Sequence, residues 1–145
     1  MIFEQVDQIF EHYPECIVHP VSCTGVAHDV LSRQIKKSYP DYFREYTRFC
    51  IRKRLIAGQA HFYALDALFG TKYIVTLIAK NNWQEKVKPP TFKQAFDEFL
   101  EKTCQLKIST IAMPKMEDVP QSWLKEQFEK ASLKPENTIE RVIFF

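Results

Sequence analysis

The chain has 145 residues, 46% hydrophobic and 26% charged, with a formal net charge of +2; this is the profile of a single globular domain spanning residues 1–145 with a sizeable buried core. So small a net charge does not by itself imply a nucleic-acid partner, and no stretch approaches the ~20 apolar residues that a membrane span requires. Only Gly25, Gly58 and Gly70 are present, roughly a third of the usual ~7%, which counts against a glycine-rich nucleotide loop, whose backbone must approach phosphate closely.

In chain order, short apolar runs alternate with amphipathic stretches, the pattern of an α/β layer fold. Ile2 to Val6 reads as an edge strand, followed by a polar turn through Tyr13-Pro14. Cys16 to Val21 is apolar and β-branched apart from His19, as a buried strand is. A helix follows from about Asp29, a suitable N-cap, to Ser38 before Pro40, with Val30, Ile35 and Leu31 as its inward stripe. A second helix, about Asp41 to Arg54, turns Phe43, Tyr46 or Thr47, and Cys50 inward. On another of its faces Arg44, Arg48 and Arg52 recur at i, i+4, i+8.

Gln59 to Leu65 and Tyr73 to Ala79 read as paired strands joined through Phe69-Gly70-Thr71. Pro89-Pro90-Thr91 introduces a helix with Phe92, Ala95, Phe96, Phe99 and Leu100 on one face. Ile108 to Met113 is a further strand, Ser122 to Ala131 a helix, and Arg141 to Phe145 an interior strand. The sum predicts a three-layer α/β/α sandwich with a mixed sheet of about six strands and four helices.

Cys16, Cys23, Cys50 and Cys104 show no CxxC spacing, and no nearby histidine completes a zinc pattern. They read as reduced core or near-core thiols. His12, His19 and His61 are not at metal spacing either, so neither metal nor cofactor is expected. The opening MIFEQVDQIF lacks a basic region and a long apolar run, so a secretory leader is not expected and a cytoplasmic location is.

Four segments, in order and spacing, resemble the macro domain, the ADP-ribose-binding family. The subfamily is that of the terminal ADP-ribose–protein glycohydrolase and the antitoxins that strip ADP-ribose from DNA. IFEQVDQIF, from Ile2, is similar to the family's first strand and its turn; Val18-His19-Pro20-Val21-Ser22-Cys23 is similar to its second strand and the start of its ligand loop. Leu31 to Phe43, with Gln34, Lys36-Lys37 and Tyr39-Pro40, resembles the next helix and turn. Tyr73 to Lys80 resembles a strand ending in lysine, and Ala112-Met113-Pro114-Lys115 a later strand end.

The resemblance implies roles. In the family an Asp in the first turn binds the adenine amine; here Gln8 aligns, with Asp7 one place earlier, and either a solvated turn or an adenine contact fits. Ser22, Cys23, Thr24 and Gly25 keep the polar start of the ligand loop, but Ala27-His28-Asp29-Val30 replaces its glycines. Asp29 puts a negative charge beside the expected pyrophosphate, and His28 offsets it only when protonated. Lys80 aligns with the lysine that attacks the ribose anomeric carbon, and Asp118 or Glu117 stands near the family's resolving acid in a loop without glycines. Each also reads as an ordinary surface charge. Trp83 either stacks on a base or caps the core.

Three functions follow. The first is recognition of ADP-ribose or a related nucleotide with weak or no hydrolysis. The second is an active ADP-ribosyl hydrolase using Lys80 and Asp118. The third is an interaction module with a basic helix face, where seven basic residues between Lys36 and Arg54 meet two acidic ones. There Arg44, Arg48 and Arg52 suit phosphates, and Tyr42 or Tyr46 suits bases. Eroded motifs in a small domain suit a fast-evolving viral or mobile-element gene.

Overall fold

The computed structural model describes residues 1–25, 27 and 29–145. Ten elements follow in sequence: β1 (Ile2–Gln5), β2 (Cys16–Ser22), α1 (Val30–Ser38), α2 (Pro40–Ile51), β3 (Ala60–Ala64), β4 (Tyr73–Lys80), α3 (Pro89–Gln105), β5 (Thr110–Met113), α4 (Gln121–Ser132) and β6 (Arg141–Phe144). The strands form one sheet in the order β1-β6-β5-β2-β4-β3. All neighbours are parallel except β3, which runs antiparallel to β4. This is the predicted mixed six-stranded α/β sheet with four helices.

Side-chain alternation along the strands builds two cores, one per face. Cys16, Val18, Val75, Leu77, Ile111 and Met113 meet α3 and α4 through Phe92, Phe96, Phe99, Leu124 and Phe128. On the other face Val21, Ile74 and Ile78 meet α1 and α2 through Ile35, Tyr42, Phe43 and Tyr46. Each large side chain withdrawn from water contributes about 1.5–3 kcal/mol, so the phenylalanine-rich face dominates the apolar burial.

Two element ends, that of α2 and the start of β5, differ from the sequence reading by more than one residue, for the same reason. α2 stops at Ile51 rather than Arg54 because Lys53 takes φ 54°, while the Lys53 and Arg54 amides donate to the carbonyls of Cys50 and Phe49. α3 ends alike: Lys107 takes φ 56°, and the Lys107 and Ile108 amides donate to Cys104 and Thr103. Both are Schellman closures, in which glycine usually supplies the left-handed residue; with so few glycines in the chain, lysine takes the place. Ile108, tied into the second closure, is buried but lies outside β5, which starts at Thr110.

The inward stripe of α1 is also corrected. Asp29 is the N-cap, as expected, with its carboxylate accepting the Ser32 amide at 2.6 Å. The buried residues, however, are Ser32 and Ile35, and Val30 is 64% exposed. The first turn faces the open end of the sheet rather than its surface, so its leading side chain points to solvent.

Candidate functional site

Strands β6, β5, β2 and β4 run parallel and therefore end along one edge of the sheet. From β2 the chain passes into the α1–α2 layer, whereas β5 leads into α4 on the opposite face. Such a switch point leaves a crevice beyond the carboxyl ends of the strands. A cleft of about 640 Å³ occupies it, a size suited to a small-molecule ligand. The lining comes from the end of β2 and the segment before α1 (Ser22, Asp29), from α1 itself (Val30, Leu31, Gln34), from the end of β4 and the segment after it (Lys80, Trp83, Val87), and from the β5–α4 connection with the chain's last residue (Pro114 to Asp118, Phe145).

A register shift shapes its floor. Val21 pairs with Ile78, but Ser22 pairs with Lys80, so Ala79 is skipped. The bulge sets the start of the β2–α1 segment beside the lysine that closes β4, and the Cys23 amide continues the pairing by donating to the Asn81 carbonyl at 3.2 Å. Bulges of this kind re-aim side chains at strand ends.

Ser22, Asp29, Lys80, Trp83 and Asp118 share this cleft. The Lys80 ammonium donates to the Glu85 carbonyl at 3.0 Å, and Asp118 accepts the Val87 amide at 3.1 Å. The segment after β4 thus ties the lysine and the carboxylate into one wall. Trp83 is 44% exposed there, which places it at the rim of the cleft rather than as a cap on the core.

The remaining expected residues stand elsewhere. Asp7 and Gln8 are exposed in the turn after β1 and do not line the cleft. Thr24 is exposed, its hydroxyl 2.7 Å from that of Ser22. Cys23 turns inward toward the Leu55 carbonyl, 3.4 Å from Sγ, and burial raises its thiol pKa above the ordinary value, which disfavours the thiolate. Gly25 takes φ 75° and packs against α2, where an added Cβ would meet the Cys50 Cβ at 3.1 Å. It lies on a second groove, outside the cleft. His28 lies outside the described residues.

Beneath the cleft, a polar network supports α1 from below. His19, fully buried in β2, bonds the Ser32 hydroxyl at 2.8 Å through Nε2 and the Tyr42 hydroxyl at 2.9 Å through Nδ1. Tyr42 continues to Thr76 of β4 at 2.7 Å, and the Tyr46 hydroxyl donates to the Ser22 carbonyl at 2.8 Å. Tyr42 and Tyr46 are therefore interior residues, only 2% and 4% exposed, and are not available to stack on bases. Burial pushes both phenols above their ordinary pKa, so they remain neutral donors.

Sequence reasoning missed Leu31, Val87 and Phe145 as lining residues. The available signal was positional, since Leu31 lies in the first turn of the helix after β2, Val87 lies between β4 and α3, and Phe145 directly follows β6. All four cysteines are free. Among the described residues, no group of three or more His, Cys, Asp or Glu side chains is placed to hold a metal ion, and no helix is long and apolar enough to cross a membrane.

The sequence model described as Macro domain matches residues 18–122. Among solved structures, the fold is similar to the macrodomain of Mycobacterium tuberculosis DarG, with a TM-score of 0.87 and 21% identity over 99% of this chain and 97% of that one. It is similar to the macrodomain of Thermus aquaticus DarG, with a TM-score of 0.82 and 19% identity over 99% and 97% of the two chains. A third similar structure is Thermosipho africanus DarTG in complex with ADP-ribose, with a TM-score of 0.77 and 16% identity over 99% of this chain and 41% of that one. No curated protein matches the sequence.

Proposed function

The chain belongs to the macro domain family, and from that premise we propose that its cleft recognises ADP-ribose or a related nucleotide, with weak or no hydrolysis. One observation carries the reading: the cleft stays open between Ser22 and Asp29 on one side and the loop from Pro114 to Asp118 on the other, although that loop has no glycine and Gly25 is the one glycine between Ser22 and Asp29. Its lining matches the ligand's chemistry. Trp83 and Phe145 offer aromatic surface to a base, and Lys80 and Lys115 offer positive charge to a pyrophosphate. The similar Thermosipho africanus protein is in complex with that ligand. Four free thiols suit a reducing cytosolic compartment, where we place the protein.

Asp29 is what weakens the site. Its carboxylate lines the cleft and takes up the Ser32 amide, one of the donors a bound anion would use at the start of α1. A unit charge about 4 Å from a phosphate costs roughly 1 kcal/mol at water-like dielectric. Asn caps a helix about as well as Asp, so Asp29→Asn removes the charge and keeps the cap. Calorimetric titration with ADP-ribose is expected to show saturable binding by the wild type and about fivefold tighter binding by Asp29→Asn. No heat from either protein at millimolar ligand would sink the reading.

A second reading, hydrolysis, draws on the single wall that holds Lys80 and Asp118. Attack on the anomeric carbon requires Lys80 to leave the Glu85 carbonyl and give up a proton. If this chemistry occurs, Lys80→Ala abolishes release of ADP-ribose from a modified carboxylate or DNA base while folding persists. Wild-type inactivity on both substrates leaves recognition alone.

A further inference from the structure

Across the β2–α1 segment from the cleft lies a second groove of about 880 Å³ along α2. Lys36, Arg44, Arg48 and Arg52 line it, and all four are exposed. Among the described residues no carboxylate lines it. Arg44 is bridged to Asp41 at 3.1 Å, and Lys36 sits over the Phe43 ring at 5.5 Å, whereas no ion pair engages Arg48 or Arg52 among the described residues. Four residues of helix rise about 6 Å, so the three arginines form a row about 12 Å long with Lys36 beside it. This row follows the i, i+4, i+8 pattern visible in the sequence, and the cleft chemistry makes no use of it.

We propose that this groove binds the phosphate backbone of a single-stranded nucleic acid, without reading its bases. Charge complementarity selects a polyanion, and the shape selects among polyanions. The cations line a concavity, which a flexible strand can enter and a flat anionic bilayer cannot. The lack of base reading follows from the lining: among the described residues Phe43 is its one aromatic side chain, and that ring is 4% exposed and covered by Lys36, so it offers no open face for a base to stack on. Gly25 forms part of the groove's lip while Ser22 and Asp29 line the cleft, so a bound strand passes close to the cleft. Binding to the groove stands whether or not ADP-ribose enters that cleft.

The test is fluorescence anisotropy of a labelled single-stranded DNA 20-mer titrated with the full chain at 50 to 200 mM salt. Three to four phosphate contacts give a log–log salt slope of about −2 to −3, which is a roughly 20- to 50-fold loss of affinity over that range. Arg48→Ala/Arg52→Ala is expected to make the slope shallower by about 1.4 and to weaken binding more than about tenfold at 50 mM salt. Arg48→Lys/Arg52→Lys keeps the slope. ADP-ribose titration of the alanine variant stays as in the wild type, which separates failure of the groove from failure of the cleft. Three results would overturn the proposal: no oligonucleotide binding at 50 mM salt, a slope that the alanine variant leaves unchanged, or binding to phosphatidylserine vesicles without binding to the oligonucleotide.

Discussion

Phe96→Ala is expected to lower the unfolding free energy by about 3–5 kcal/mol, the largest loss of any single truncation considered for this chain. Phe96 is fully buried and is the hub of the aromatic layer between α3, α4 and the sheet. Its ring lies 5.3 Å from Phe128, edge to face, 5.5 Å from Phe99, 5.7 Å from Trp123 and 5.9 Å from Phe92. Removing it forfeits the transfer energy of the ring and leaves a hole walled by rigid rings, which collapse poorly onto one another. Against a net stability of about 5–15 kcal/mol, the variant is marginal. Urea denaturation should show a much lower midpoint at nearly unchanged m. Leu133→Ala, at a site 86% exposed, should move it by no more than about 0.5 kcal/mol. A Phe96→Ala loss below about 1 kcal/mol would mean that the layer repacks freely.

His19→Leu ranks second, at about 2–4 kcal/mol. The imidazole satisfies the Ser32 and Tyr42 hydroxyls at once, and the leucine satisfies neither. A buried hydroxyl left without its partner costs about 1–3 kcal/mol. Tyr42 retains Thr76, so the heavier penalty falls on Ser32. His19→Leu/Ser32→Ala should therefore be more stable than His19→Leu alone, a coupling that a double-mutant cycle measures directly. The change also reaches the site. Ser32 lies in the first turn of α1, where Asp29 caps the helix and Val30 lines the cleft. Releasing it loosens that wall, and ADP-ribose affinity should fall along with stability. Simple additivity of the two substitutions would contradict the network.

Much of the fold was legible because it rests on local periodicity. The β-branched runs gave β2 and β4, Pro89-Pro90 marked the start of α3, and the Phe92–Phe96–Phe99 spacing gave its buried face. The misplaced boundaries come from conformations that sequence disguises: Lys53 and Lys107 sit in left-handed turns that normally advertise themselves as glycine. Of the residues singled out in the sequence, Ser22, Lys80, Trp83 and Asp118 line the cleft, but their assembly was not legible. Lys80 and Asp118 are read from strand and loop ends, but their shared wall depends on the Glu85 and Val87 backbone. Likewise the Ser22–Lys80 pairing depends on a register shift between strands more than fifty residues apart. Asp7 and Gln8 show the converse, a family position carried over by alignment that the turn after β1 leaves outside the cleft.

The central claim is that the cleft at the ends of β2, β4 and β5 is the ligand site. Two-dimensional NMR of the backbone amides and tryptophan indoles during titration with ADP-ribose tests it most directly. The account predicts saturable shifts at Ser22, Leu31, Lys80, Trp83, Asp118 and Phe145, with Arg48 and Arg52 on the α2 groove unmoved. Unchanged spectra at millimolar ligand, or shifts confined to the groove, would contradict it.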